Sequence, residues 1–367
     1  MTDPDRLLRI ERVGRFFPAH EQLRRRYDSE SRQLAVDVSS RQAFLAWRRK
    51  TRDHLRRISG VDALCPAPPE ARVTESVRCD GYVRQRVEIQ TEPAVVMTMY
   101  VLIPDDMRHG QRRPAVITPH GHGSGGKLSV VGRTDIPAIA DSVREYNYAY
   151  GHRFAQRGLV VFAPDARGWG ERREPVRQVE TEDHFKRGSC AELNFVAISL
   201  GLSLSGMYAF DLMRLIDYIQ SRPDCDPDRI GCAGLSGGGH QTLWLAALDE
   251  RIRAAVISGY FYGSRESLLD KNDNCACNYV PGLWQAVDMG DMGALVAPRP
   301  LLIEAGDRDP LNGASGLENV RSQVEIAGAA YRLLGADANL VLDIRRGEHQ
   351  WFGDLAEPWL VDRLTKA

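Results

Sequence analysis

The residues best placed by type and spacing to do chemistry begin at Gly234-Leu235-Ser236-Gly237-Gly238. A short apolar run, Ile230-Gly231-Cys232-Ala233, precedes this serine, and a helical stretch from Gln241 to Leu248 follows it. A serine between glycines at a strand-to-helix turn suits a nucleophile. The tight turn lifts the hydroxyl above the sheet edge, where flanking side chains would clash. The N–H of Gly237 then opens the helix, whose N-terminus carries partial positive charge where an oxyanion would form.

A serine hydroxyl attacks well only when a base takes its proton. Downstream of that helix there is one histidine, His349, in Arg346-Gly347-Glu348-His349-Gln350. His240 shares a helical turn with Ser236, so a core or capping role suits it better. The acid that would orient the imidazole is expected between the two in chain order. Leu301-Leu302-Ile303-Glu304-Ala305-Gly306-Asp307-Arg308-Asp309 offers three carboxylates there. Asp309 lies far enough beyond the strand to reach a histidine. Asp307 is the alternative, although it could instead hold the turn by an Asx hydrogen bond. Glu304 falls within the strand. One strand earlier, Ser258-Gly259-Tyr260-Phe261 supplies no acid.

Ile117-Thr118-Pro119-His120-Gly121-His122-Gly123 follows another apolar run. The N–H of His122 is the candidate second oxyanion donor beside that of Gly237. Such close histidines rarely converge on one ion, and Cys275 and Cys277 would need two more ligands. No metal and no cofactor are therefore expected, and the cysteine pair is expected to pack in a lid. Arg167, Trp169 and Glu171 follow the run Leu159 to Phe162 and are candidates for touching a substrate. An ion-pair network and plain packing are the competing roles. Tyr260 opens an aromatic segment that could wall a pocket.

These residues need a scaffold that brings strand ends together. From Pro114 onward the apolar runs Ala115–Ile117, Leu159–Phe162, Ile230–Ala233, Ala254–Ile257, Leu301–Ile303 and Leu340–Leu342 alternate with helical stretches. Such runs read as strands covered on both faces, in a doubly wound α/β sheet whose carboxyl edge gathers ligands. Alternation from Val73 to Ile103, with Asp80-Gly81 as a hairpin turn, predicts two or three antiparallel strands ahead of it. Residues 1–70 read as a helical extension, with Phe44, Leu45, Trp47, Leu55 and Ile58 at helical spacing before the break at Pro66-Ala67-Pro68-Pro69. Residues 71–367 then form the catalytic domain, with lid-like insertions at about 175–205 and 260–295.

Taken in order, several motifs resemble the acetyl xylan esterase and dienelactone-hydrolase-related branch of the α/β-hydrolase superfamily. They are His120-Gly121-His122-Gly123, Asp165-Ala166-Arg167-Gly168-Trp169-Gly170-Glu171-Arg172, Asp226-Pro227-Asp228-Arg229-Ile230-Gly231, the serine turn, Ala297-Pro298-Arg299-Pro300 and Gly347-Glu348-His349. The helical leader and Cys275-Ala276-Cys277-Asn278-Tyr279 look like a carbohydrate-esterase-like subgroup. The resemblance runs from about Phe44 to Phe352. It implies the α/β-hydrolase fold, hydrolysis of a carboxylic ester without a metal, and the set Ser236, Asp309 and His349. The same residues would also serve an amidase, lactonase, peptidase or acyltransferase.

Composition narrows the partners. The chain has 367 residues, 43% hydrophobic and 26% charged, with 48 basic against 49 acidic side chains. That near-neutral balance favours neither nucleic acid nor an anionic membrane surface. The start is polar with no apolar signal core, and no run is long enough to span a bilayer. Seven scattered cysteines fit a reducing compartment, so a cytoplasmic location is expected. A small-molecule or carbohydrate ester is the expected substrate. A homo-oligomer contact through the helical leader stays open.

Overall fold

The computed structural model describes residues 19–175, 181, 185–271 and 274–366. Its strands are β1 (Arg72–Cys79), β2 (Tyr82–Glu92), β3 (Val95–Pro104), β4 (Arg113–Ile117), β5 (Val160–Pro164), β6 (Cys225–Leu235), β7 (Ile252–Ser258), β8 (Leu301–Gly306) and β9 (Leu340–Arg345). They make one sheet in the order β1-β2-β3-β5-β4-β6-β7-β8-β9. β1, β2 and β3 form an antiparallel meander that joins β5 antiparallel. From β5 through β4 to β9 every pair is parallel. The expected α/β-hydrolase sheet with antiparallel N-terminal strands is the sheet observed. Asp80-Gly81 turns the first hairpin, where Cys79 pairs with Tyr82.

Burial on both faces explains why the parallel strands read as unbroken apolar runs. Ala115, Ile117, Val160, Phe162 and Ile257 enter one core, shared with Leu212, Ile216, Trp244 and Leu295. Their neighbours Val116, Val161 and Val256 enter the other, shared with Phe154, Trp351 and Leu360. The helices Leu204–Ser221, Gly237–Leu248 and Met289–Val296 cover the first face. The helices Tyr150–Gln156 and Ala356–Thr365 cover the second.

The leader forms helices at His20–Glu30 and Arg41–Ser59; residues 1–18 lie outside the described residues. Ser40 caps the second helix by accepting from the N–H of Ala43. That helix buries Phe44, Trp47 and Leu55 in the same core as the sheet. Leu45 and Ile58, on its flank, pack against that core half-covered. Among the described residues no single helix is long and apolar enough to cross a membrane.

Candidate functional site

β6 ends at Leu235 and the helix begins at Gly237, which leaves Ser236 alone on the turn at φ 59° and ψ −120°. A positive φ is costly for a residue with a side chain and persists only where its surroundings enforce it. Two contacts enforce it here. Ser236 N–H donates to Ser258 O at the end of β7, at 2.9 Å, and Ser236 O accepts from His240 N–H at 2.9 Å. A methyl group at Gly238 would lie 2.2 Å from the Pro119 carbonyl oxygen, so only glycine lets the helix approach the β4 loop. The Ser236 side chain remains partly open to solvent while its neighbours in the turn are buried.

The loops after β8 and β9 bring Asp309 and His349 together. His349 Nδ1 lies 2.7 Å from Asp309 Oδ2, and the Asp309 carboxylate is buried. Its other oxygen accepts from the N–H of Leu311 at 2.8 Å, which fixes the carboxylate plane. The imidazole lies over Gly259, the residue after β7, where a methyl group would meet its Cε1 at 2.9 Å. Ser236, Asp309 and His349 thus stand at the carboxyl ends of β6, β8 and β9, on the edge where parallel sheets collect ligands.

Asp307 does something else. Its Oδ1 accepts from Gly347 N–H at 2.9 Å, across to the histidine loop, so it ties two loops rather than closing its own turn as an Asx motif. Glu304 lies within β8, as its sequence position implies, and supports the same loop. It accepts from Ser258 Oγ at 2.8 Å, Phe352 N–H at 3.0 Å and Gly353 N–H at 2.9 Å. Burial pushes its carboxyl above the usual range, against those donors. The sequence offered one signal of this role, a carboxylate inside an apolar strand, which must find donors.

The loop after β4 is held from several sides. Tyr150 OH donates to Pro119 O at 2.5 Å, Gln241 to His120 O at 2.9 Å and Ser124 Oγ to Gly121 O at 3.0 Å. His120 Nε2 accepts from Ala166 N–H at 3.1 Å. These contacts carry Gly121 against Ser236 and set the His122 ring beside Gly237. The two oxyanion candidates, the amides of His122 and Gly237, belong to adjacent backbone. His240 is buried, with Nε2 3.0 Å from Ser205 Oγ, and burial pushes its pKa down to about 3. It is a core histidine, as its position on the helix implied.

Four residues were candidates for touching a substrate. The Arg167 guanidinium makes a two-pronged pair with Asp211, at 2.9 and 2.7 Å, and also reaches Glu92 at 2.6 Å. Burial alone would raise the Asp211 carboxyl; Arg172 and Arg167 outweigh it and hold it well below the usual carboxylate range. Glu171 binds Arg86 and Lys127, and Lys127 also binds Asp165. Arg167 and Glu171 are thus held in the ion-pair network that the sequence offered as their other role, and both also line a cavity with Arg86 and Arg172. Tyr260 is buried; it lines a small cavity with Leu243 and Trp244, and its hydroxyl donates to Asn278 Oδ1 at 2.6 Å. Trp169 is buried too, with its ring edge-on to His122 at 5.1 Å.

The insertion at 260–295 fills the core with Tyr260, Phe261 and Tyr262. Residues 176–180, 182–184 and 272–273 of the two insertions lie outside the described residues. Cys275 and Cys277 are not merely packed. Cys275 Sγ lies 2.8 Å from Cys190 Sγ, and Cys277 Sγ lies 3.1 Å from His122 Nε2. These neighbours, Cys190 and His122, come from far along the chain, beyond the reach of local spacing.

A sequence model of the Abhydrolase family matches residues 31–333. Among curated proteins, "Putative hydrolase YtaP" of Bacillus subtilis (strain 168) is 30% identical over 215 residues, 58% of this chain. The match spans 65% of that protein's length, just under two thirds. Among solved structures, one described as a "putative acetyl xylan esterase" from Bacteroides fragilis NCTC 9343 superposes with a TM-score of 0.76 at 20% identity. It covers 94% of this chain and 95% of that one. A glucuronoyl esterase from Solibacter usitatus gives a TM-score of 0.65 at 15% identity, over 89% and 94% of the two chains. At these identities the two structures speak for the fold.

Proposed function

The chain belongs to the Abhydrolase family, and on that premise we propose that it is a serine esterase using Ser236, His349 and Asp309. One observation carries the reading: a serine at positive φ on a strand-to-helix turn shares a sheet edge with a histidine 2.7 Å from a buried aspartate. His349 Nε2 takes the proton of Ser236 as its oxygen attacks the ester carbonyl. The amides of Gly237 and His122 hold the oxyanion. Asp309 keeps the proton of the resting imidazole on Nδ1 and steadies the imidazolium. The tetrahedral intermediate collapses as His349 protonates the departing alcohol. Water, activated by the same imidazole, then frees the acid.

The substrate class we propose is an ester of a sugar or sugar acid. The names of the similar structures, acetyl xylan esterase and glucuronoyl esterase, support it. A hydrolysis panel of acetyl-sugar, methyl-uronate, lactone and aryl esters tests this, with amides alongside; faster amide turnover would replace the ester reading. Ser236→Ala is expected to abolish turnover and labelling by a fluorophosphonate probe while the thermal unfolding profile stays that of the parent. Retained turnover in that variant would overturn the assignment.

A further inference from the structure

Beside the Ser236 site, and sharing His122 with it, four side chains that could bind a metal converge. His122, Cys190, Cys275 and Cys277 each offer an atom within 4.8 Å of the other three. They come from distant parts of the chain: the loop after β4, the first residue of the helix Cys190–Ser199, and the short turn Ala276–Asn278 with the residue before it. We propose that these four side chains bind one zinc ion as a closed three-cysteine, one-histidine site that ties both insertions to the His120–Gly123 loop.

The chemistry of the donor set points to that ion. Thiolate and imidazole together suit zinc, which takes them in tetrahedral geometry. Two sulfurs about 2.3 Å from one tetrahedral zinc stand about 3.8 Å apart, within the spread of this cluster. The Cys190–Cys275 separation of 2.8 Å is too long for a disulfide, whose sulfurs lie about 2 Å apart. It is also about 1 Å shorter than the sulfur spacing on a tetrahedral zinc, so the pair would spread to take up the ion. Asn278 Nδ2 lies 3.9 Å from Cys277 Sγ and can donate to that sulfur. The surroundings are apolar: Cys190 and Cys277 are buried with Trp169, Leu204, Met207 and Tyr208 in a small third core.

All four positions come from protein, so the ion would have no open position for water, and its role would be structural. Its effect would still reach the reaction. His122 Nε2 faces the sulfurs while Nδ1 faces Gly237, so ligation at Nε2 leaves the ring proton on Nδ1, against the serine turn. The ion would thereby lock the residue whose amide lies next to Ser236.

The test uses the full chain, purified without chelator or metal-affinity resin. Elemental analysis is expected to find about one zinc per chain. Exchange for cobalt(II) is expected to give a sulfur-to-cobalt charge-transfer band and intense tetrahedral ligand-field bands. Cys275→Ser and Cys277→Ser should each lose the metal and those bands, Cys277→His should keep the metal, and Cys65→Ser, at an exposed cysteine, should change nothing. A wild-type chain without stoichiometric zinc and without the cobalt bands would overturn the proposal. So would a Cys190–Cys275 disulfide in the intact mass of non-reduced protein. If the serine variants do not fold, the metal content and cobalt spectrum of the wild type decide alone. None of these readouts depends on catalysis, so they stand or fall apart from the esterase assignment.

Discussion

Asp309 and Asp307 are near neighbours in sequence, yet one holds an imidazole and the other a backbone amide. The two can therefore be separated by experiment. Asp309→Asn removes the charge that orients His349 and is expected to lower kcat by about 10⁴-fold, as loss of an orienting aspartate does. Asp307→Asn weakens one hydrogen bond to Gly347, a change of about 0.5–1.5 kcal/mol, so kcat should fall by no more than about tenfold. Steady-state kinetics on both variants checks this, and the reverse ranking would move the acid. At this scale the sequence was informative where chain order constrains a candidate: Ser236, Asp309 and His349, chosen by order and spacing, lie on one sheet edge, with Asp309 against His349. It was silent where a side chain's role depends on who lies across the fold. Nothing near Arg167 in the sequence announces Asp211 and Glu92, so the ion-pair role was open to it without a named partner.

The elements show the same division. The strands were legible because burial on both faces leaves unbroken apolar runs, and the hairpin because Asp80-Gly81 suits a tight turn. The insertions were not, since their packing is against distant segments. The segment from β5 to the helix Leu204–Ser221 is held by the ion pairs Arg167–Asp211 and Arg172–Asp211, which are buried. Removing one partner of such a pair strands the other charges and costs about 3–5 kcal/mol. Asp211→Asn should therefore lower the urea midpoint by that amount of stability, with KM unchanged if Arg167 does not touch substrate. The pH dependence has a definite sign. The folded Asp211 carboxyl titrates below its unfolded value, so its stabilisation is fully present above the unfolded pKa of about 3.9 and is lost as pH falls through the folded one. Unfolding free energy measured from pH 6 down to the acid limit should fall less steeply in Asp211→Asn than in the parent.

At the scale of the whole molecule, the leader is continuous with the core. Phe44, Trp47 and Leu55 are buried among sheet-covering residues. Burying three such side chains contributes about 5–9 kcal/mol, comparable to the net stability of a typical domain. Deleting residues through Gly60 is therefore expected to yield insoluble or molten chain. The yield of soluble protein and a circular dichroism melt of that truncation check this. The helical pattern of the leader was readable, but its docking was not. Amphipathic spacing shows that a helix has an apolar face without showing what covers it.

The strand order also bears on how the protein comes into being on the ribosome. β4 sits between β5 and β6, and the loop after β4, the serine and the acid emerge from synthesis in that order, with His349 last. Domains emerge N-terminal part first. A growing chain thus carries Ser236 well before it carries His349. The final loop, clasped by Glu304 and Asp307, completes the sheet edge on which the two stand. On the proposed mechanism, competence toward esters would arrive as a single late event.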